Sequence, residues 1–264
     1  MLDVLKVKKV FNAGTVNEKL VLNDLSIHFD EGDFVTIIGS NGAGKSTLLN
    51  CVAGVYPLDG GDIKIDGQSV AKLSEFKRAK LLGRVFQDPM MGTAADMQIE
   101  ENLALAYRRG KRRTLHWGIT DHERSLYRHE LARLGLGLEN RLTDKVGLLS
   151  GGQRQALTLM MATLNTPRLL LLDEHTAALD PKTAAKVLKI TEEIVAEKKL
   201  TAMMVTHNMS DAIRLGNRLI MMDGGRVVVD VCGEDKRKLH KSDLLEMFEK
   251  AAGRELAGDR TLLG

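Results

Sequence analysis

A glycine-rich segment starting at Gly39 has the residue types and spacing of a loop that holds phosphate groups. It reads G-x-x-x-x-G-K-S, between an apolar run and a helical pattern. Glycine lets the backbone curl so that successive N–H groups face an anion, while the helix start and Lys45 add positive charge. A glycine-rich turn without a ligand is the alternative. The candidate phosphate-binding residues are Gly39, Ser40, Asn41, Gly42, Ala43, Gly44, Lys45, Ser46 and Thr47, and Ser46 can place its hydroxyl on Mg²⁺.

Two acidic residues directly follow an apolar run of strand length. The run is Leu169 to Leu172, and the acids are Asp173 and Glu174. A buried strand holds carboxylates rigidly, so Asp173 can bind hydrated Mg²⁺ and Glu174 can polarise a water molecule for in-line attack on a phosphate. Acidic residues after a strand often have no catalytic role and only form the solvated end of the strand. The phosphate-binding pattern upstream favours the catalytic interpretation.

A second anion-binding helix start is predicted at Leu149-Ser150-Gly151-Gly152-Gln153. Ser150 is a good N-cap, and the paired glycines leave backbone N–H groups bare at the start of a helix. One chain therefore carries two helix starts that are suited to phosphate.

The flanking patterns predict a largely parallel sheet that positions these motifs. The apolar run from Phe34 to Ile38 is typical of a strand buried on both faces. Gly54 ends the helix that Lys45 begins, and Asp180 caps a helix that Pro181 opens. Alternation of strands and helices indicates an α/β fold.

The remaining patterns place other elements around that sheet. Alternation at Leu25, Ile27 and Phe29 predicts an antiparallel β layer, and a hairpin is expected around residues 219–231. We also expect a helix from Ser74 through Leu82 and a closing helix at residues 243–252.

Residues 90–164 show helical periodicity, with a capping box at Thr120 and Glu123, and no convincing strand. They are interpreted as an inserted helical subdomain. It divides the core into a first part at residues 1–89 and a second part at residues 165–264.

Composition excludes several other classes of protein. The 264 residues carry 38 basic and 35 acidic side chains, a net charge of +3 that is too small for a nucleic-acid footprint without a basic stripe. The basic run from Arg108 to Arg113 lacks interleaved aromatics, which favours a solvated face or a partner contact. Two cysteines, Cys51 and Cys232, do not suggest a disulfide framework, and no apolar run reaches membrane-spanning length. We expect neither secretion nor membrane insertion.

The pentapeptide ending at Gln153, placed shortly before the two-acid strand, resembles the signature of the ABC ATPase family. The resemblance implies a P-loop NTPase core of the RecA-like, ABC type, which binds ATP and Mg²⁺. It also implies roles for four further residues. Phe11 resembles the aromatic residue that stacks on adenine, with Tyr56 as the other candidate. Gln87 matches the residue that links the active site to the helical subdomain and contacts the metal.

Two more residues match landmarks of the family. His207 resembles the switch histidine that contacts the γ-phosphate, and Asp180 matches the loop that crosses the dimer interface. His175 stands where the family often has proline, and we assign no chemistry to it from the sequence.

The resemblance also implies partners. Two copies are expected to pack head to tail, so that the loop at Gly39 of one copy and the segment at Ser150 of the other enclose each ATP. The dimer is expected to act on membrane permease subunits at the cytoplasmic face of the membrane, and indirectly with a solute-binding protein.

Residues 173–181 and 206–209 look most like bacterial importers of tryptophan, tyrosine or related amino acids. The alternatives are a soluble ABC ATPase of iron–sulfur assembly or DNA maintenance, a P-loop kinase or GTPase, and a scaffold that only binds ATP.

Overall fold

The computed structural model describes residues 1–111 and 118–250. The chain divides into two compact units. The first unit joins Met1–Arg78 to the chain from Thr201 onward, and the second unit is Ala79–Leu200. The inserted helical subdomain with boundaries at residues 90 and 164 stays a prediction.

The described residues form ten strands and eight named helices. The strands are β1 (Leu2–Phe11), β2 (Lys19–Phe29), β3 (Phe34–Gly39), β4 (Gly60–Ile65), β5 (Gln68–Ser69), β6 (Leu82–Val85), β7 (Leu169–Asp173), β8 (Thr201–Val205), β9 (Arg218–Asp223) and β10 (Arg226–Cys232). The helices are α1 (Lys45–Ala53), α2 (Glu75–Arg78), α3 (Ile99–Tyr107), α4 (Asp121–Ala132), α5 (Gly151–Thr163), α6 (Pro181–Glu197), α7 (Met209–Arg214) and α8 (Gly233–Arg237). Residues 241–250 are helical as well, as predicted, whereas 251 and 252 lie outside the described residues.

The first unit contains the predicted antiparallel layer, with strand order β2-β1-β4-β5. Val4 pairs with Ile27 on one side and with Ile63 on the other. All three side chains are buried, because alternate residues of each strand face the same side of the layer.

A second sheet segment in the same unit has the order β10-β9-β3-β8. Strand β3 pairs in parallel with both β8 and β9, and its residues from Phe34 to Ile38 are all buried. This confirms the prediction of a strand covered on both faces. The predicted hairpin is formed by β9 and β10, which pair antiparallel.

Helix α1 follows β3 and is held at its C-terminal end by two features. Gly54 has the left-handed conformation, with φ of +86°, and its N–H donates to the carbonyl of Asn50. The guanidinium of buried Arg78 donates to the carbonyl oxygens of Cys51 and Val52, at 2.7 and 2.9 Å. Both features satisfy carbonyls that lack a partner at the end of a helix.

The second unit contains the parallel pair β6 and β7, with Leu82 opposite Leu169. The predicted helix from Ser74 through Leu82 was therefore wrong beyond Arg78. Pairing with β7 requires extended backbone from Leu82, and a Cβ at Gly83 would lie 2.6 Å from the carbonyl oxygen of Ala162. Burial in the sheet overrides the local helical pattern here.

The helical periodicity predicted for residues 90–164 is confirmed in the part of that range that the structure describes. Residues 90–111 and 118–164 contain α3, α4 and α5 with short 3₁₀ turns, and over these ranges the extended pairing is limited to a single bridge between Gln98 and Lys145. The capping box at Thr120 is present, because Thr120 accepts a hydrogen bond from Glu123 N and its own N–H donates to the Glu123 carboxylate. Within the described ranges, every helix is too short or too polar to cross a membrane.

Candidate functional site

The phosphate-binding segment lies in the first unit, between β3 and α1. Three of its glycines have positive φ, at +152° for Gly39, +88° for Gly42 and +96° for Gly44. A Cβ at Gly39 would lie 2.1 Å from the carbonyl oxygen of Met222, and one at Gly44 would lie 2.9 Å from Val21 O. Only glycine fits at these two positions.

The lysine of this segment folds back over its own loop. Lys45 Nζ donates to the carbonyl oxygens of Gly39 and Ser40, at 2.8 and 2.9 Å. Helix α1 has no acidic residue in its first turn, and its N-cap, Gly44, has no side chain to bond the helix N–H groups. The loop therefore presents a cation and uncapped helix N–H groups, a donor set that fits the phosphates of ATP.

Ser40 is fixed by a contact that the sequence did not indicate. Its hydroxyl donates to Asp223 Oδ1 at 2.8 Å. Asp223 ends β9, so the hairpin at β9 and β10 supports the phosphate-binding segment.

The two aromatic candidates for base stacking lie in contact in the first unit. The rings of Phe11 and Tyr56 meet edge to face, with centroids 5.2 Å apart, and both are half-buried. Lys9 Nζ lies 5.4 Å from the Phe11 centroid. The edge-to-face arrangement fixes the ring planes relative to each other.

The proposed switch histidine follows β8 at an exposed position. On one side of His207, Thr206 N donates to Ile37 O at 3.1 Å. On the other side, the Asn208 side chain accepts from Ser210 N and caps α7. The hydrogen bonds of Thr206 and Asn208 therefore fix the main chain on both sides of His207, whose side chain is exposed.

In the second unit, the Ser150 segment forms the N-terminus of α5. Ser150 Oγ accepts from Gln153 N at 3.3 Å, and Gln153 Oε1 accepts from Ser150 N at 3.2 Å. This reciprocal pair confirms the predicted N-cap and leaves the N–H groups of Gly151 and Gly152 for an anion. A Cβ at Gly152 would lie 2.1 Å from Thr183 Cγ2, so this glycine is also required for packing.

Gln87 is exposed between two fixed neighbours. The carbonyl of Phe86 accepts from the amide of Gln155, at 3.1 Å, and Asp88 accepts from Met90 N and caps the 3₁₀ turn at Pro89–Gly92. Gln155 lies on α5, the helix that Ser150 caps. Sequence reasoning missed this link, because it joins residues 69 positions apart.

Asp173 is the last residue of β7, after four fully buried leucines. Arg84 Nη2, from the neighbouring strand β6, lies 3.9 Å from Asp173 Oδ2, and its guanidinium stacks 4.4 Å from the Phe86 ring centroid. This arginine was also missed. A basic residue inside the short apolar run from Leu82 to Val85 was the available signal.

The turn after β7 begins with an unusual backbone conformation. Glu174 has φ of +43°, and its carbonyl accepts from Ala177 N at 2.9 Å. The next side chain, His175, is 1% exposed, and its Nε2 lies 3.1 Å from Thr191 Oγ1 on α6. Burial lowers the pKa of His175 to about 4.

Helix α6 starts as predicted. Asp180 Oδ1 accepts from Thr183 N at 3.1 Å, and Pro181 occupies the first helical position. Hydrogen bonds from the side chain and the N–H of Thr183 lower the pKa of the Asp180 carboxyl, so the cap is ionised at neutral pH.

The basic run has structural partners in its described part. Arg108 bonds the Glu123 carboxylate at 3.0 Å, Arg109 donates to Ala162 O at 2.9 Å, and Lys111 Nζ lies 3.3 Å from the Tyr107 centroid. Residues 112 and 113 lie outside the described residues.

Comparison with known proteins agrees with this arrangement. The family model described as "ABC transporter" matches residues 22–177. A tyrosine transport ATP-binding protein of Clostridioides difficile (strain R20291) is 45% identical over 251 residues, 95% of this chain and 100% of that relative. The methionine import ATP-binding protein MetN of Clostridium tetani (strain Massachusetts / E88) is 35% identical over 230 residues, 86% of this chain and 68% of that relative.

A solved structure of the ATP-binding cassette MJ0796, dimeric and bound to ADP and Pi, matches with a TM-score of 0.75 at 28% identity. The match covers 88% of this chain and 98% of that one. The predicted P-loop NTPase fold is thereby confirmed. The chain belongs to the ABC transporter family, of which it is an ATP-binding subunit that hydrolyses ATP.

Proposed function

We propose that two copies of this chain enclose two ATP molecules and couple their hydrolysis to transport through a partner permease. One observation carries the proposal: the chain has two glycine-lined helix starts, at α1 and α5, and neither has an acidic residue in its first turn. A single triphosphate can be bound by the first of one copy and the second of the other. The dimeric cassette structure with ADP and Pi supports this arrangement.

On the first helix start, the segment from Gly39 to Thr47 binds the phosphates. Its backbone N–H groups face the phosphate oxygens, and Lys45 exchanges its contacts with Gly39 O and Ser40 O for the terminal phosphates. The half-buried rings of Phe11 and Tyr56 provide an apolar surface for the base.

The remaining residues of the proposed site bind the metal and activate water. When bound, Mg²⁺ neutralises phosphate charge, and its proposed ligands are Ser46, Asp173 and Gln87. Glu174 accepts a proton from the attacking water and orients it in line with the bond that breaks. His207 donates a hydrogen bond to the γ-phosphate.

On the second helix start, the residues from Ser150 to Gln153 contribute N–H and hydroxyl groups to the γ-phosphate of the other copy's ATP. Asp180 lies in the loop that we place at the dimer contact. Hydrolysis removes the bridging phosphate, so the two copies separate, and this displacement is passed to the permease.

For the cargo we propose an amino acid, with tyrosine as the first candidate, because the tyrosine transport relative matches over its full length. Partners of this reaction are permease subunits at the cytoplasmic face of the membrane and, indirectly, a solute-binding protein. The cargo is tested with vesicles that contain this chain and the permease. Addition of the solute-binding protein loaded with tyrosine should stimulate ATP hydrolysis and tyrosine uptake together. Stimulation by methionine alone would reassign the cargo.

The dimer itself is tested by Glu174→Gln. This variant should bind Mg-ATP, fail to hydrolyse it, and elute from gel filtration as a dimer that disappears when ATP is withdrawn. The matched control is Lys45→Ala, which should stay monomeric with ATP. Unimpaired turnover by Glu174→Gln would remove this residue from the catalytic role.

A further inference from the structure

His175 is a buried polar side chain directly beside the proposed catalytic glutamate. Its partner Thr191 donates its own hydroxyl hydrogen to Val187 O, at 2.9 Å, within α6. The hydroxyl oxygen must therefore accept, so His175 donates from Nε2–H to Thr191. Nδ1 is then an acceptor that is buried without a hydrogen-bond partner in the described part of the chain.

This arrangement is not explained by packing alone. A leucine could fill the same pocket, whereas a buried ring nitrogen without a hydrogen-bond partner lowers the stability of the folded chain. Unlike leucine, histidine provides a directional hydrogen bond between the turn after β7 and α6.

The residue that precedes His175 is the one that needs such a bond. Glu174 has a left-handed backbone, with φ of +43°, a conformation that is strained for residues other than glycine. A strained conformation of this kind persists only where its surroundings fix it. The Glu174 carbonyl is bonded within the turn, to Ala177 N, and His175 ties that turn to a long helix.

We propose that His175 is a positioning residue for Glu174: its hydrogen bond to Thr191 holds the turn against α6 and so fixes the direction of the Glu174 carboxylate. The inference rests on the proposed catalytic role of Glu174. It predicts that the rate of hydrolysis depends on the His175–Thr191 bond, while ATP binding does not.

The experiment compares matched pairs at both positions. His175→Gln places an amide N–H where Nε2–H lies, whereas His175→Asn has its amide too close to the backbone to reach Thr191. Thr191→Ser keeps the accepting hydroxyl, and Thr191→Val removes it without changing the side-chain shape. His175→Asn and Thr191→Val should lower kcat about tenfold, with the Kd for ATP unchanged within about twofold. His175→Gln and Thr191→Ser should keep most of the rate.

Three results would overturn the inference: an unchanged kcat in His175→Asn, equal rates for the Gln and Asn variants, or a parallel loss of kcat and ATP affinity. His175→Asn combined with Thr191→Val should be no slower than either single variant, because both remove the same bond. Melting temperatures identify any variant that fails to fold, and the isosteric Thr191→Val then carries the test.

Glu174→Gln, measured alongside, distinguishes a failure of the proposed catalytic role of Glu174 from a failure of the positioning role of His175. If Glu174→Gln hydrolyses ATP normally, the proposed catalytic role fails. If Glu174→Gln is inactive while His175→Asn keeps the full rate, only the positioning role of His175 fails.

Discussion

The amide of Gln155 donates to the main-chain carbonyl of Phe86 at 3.1 Å. This bond joins the interior of α5 to the residue that precedes Gln87. We therefore expect a movement of α5 to shift the main chain that leads to the exposed residue Gln87. Since Ser150 caps α5, the bond links one proposed contact of the phosphates with one proposed ligand of the metal.

Gln155→Glu should destabilise the second unit. Gln155 is fully buried, and the change replaces a donor by an oxygen that faces the Phe86 carbonyl. We expect a loss of about 2 kcal/mol or more in the free energy of unfolding. Urea denaturation measures it, with the exposed Gln68→Glu on β5 as the control. Equal stabilities of the two variants would contradict the role of this bond.

Gly152→Ala should cost about 1–3 kcal/mol of stability, although alanine favours helices. The added methyl would lie 2.1 Å from Thr183 Cγ2. Thr183→Ser removes that methyl group and keeps the N–H that Asp180 accepts, so it should restore stability to the Gly152→Ala variant. Gly151→Ala, whose methyl would lie 3.4 Å from Leu179 Cδ2, serves as the control. If Thr183→Ser does not restore stability, the loss caused by Gly152→Ala does not arise from the Thr183 methyl group.

Arg78→Lys should destabilise the first unit nearly as much as Arg78→Met. The guanidinium bonds four carbonyls, those of Cys51, Val52, Ala71 and Leu73, and an ammonium group cannot span them. We expect losses of about 2–3 kcal/mol for both variants, measured by denaturation with the exposed Arg237→Lys as the control. Full stability of Arg78→Lys would show that charge alone suffices.

Lys236 should make stability depend on alkaline pH. Its Nζ is buried and donates to the carbonyls of Leu215 and Gly216, and burial lowers its pKa to about 8. The unfolded chain keeps a pKa of about 10.4, so folding disfavours the bound proton. The resulting loss in the free energy of unfolding is complete below about pH 8 and disappears as the pH rises through the unfolded pKa.

Relative to Lys236→Met, which has no titrating group, the wild-type chain should therefore gain up to about 3 kcal/mol between these two pH values. Denaturation of both proteins at neutral and at alkaline pH measures the gain. A difference between the two proteins that does not change with pH would contradict it.

The sequence predicted those features of the fold that depend on neighbouring residues. The N-caps at Ser150 and Asp180 and the glycine that ends α1 are local patterns, and the structure contains all three. The phosphate-binding segment was recognisable because its glycines and Lys45 stand within a few positions of each other. Its ligand roles stay predictions.

What the sequence did not reveal depends on residues that are distant along the chain. The contact of Arg84 with Asp173 and the bond of His175 to Thr191 arise from strand pairing and helix packing. The helix expected through Leu82 failed for the same reason: it ends at Arg78, and pairing with Leu169 makes Leu82 the first residue of a strand.

We propose that one triphosphate is bound by α1 of one copy and α5 of the other, a claim that mixed dimers of two variants can decide. Lys45→Ala disables the first helix start, and Gly151→Asp places a negative charge on the second. Each variant alone should be inactive. An equal mixture should recover about a quarter of the wild-type rate, since half of the dimers then contain one intact site of two. Wild-type turnover by Gly151→Asp alone, or a mixture as inactive as its parts, would contradict the claim.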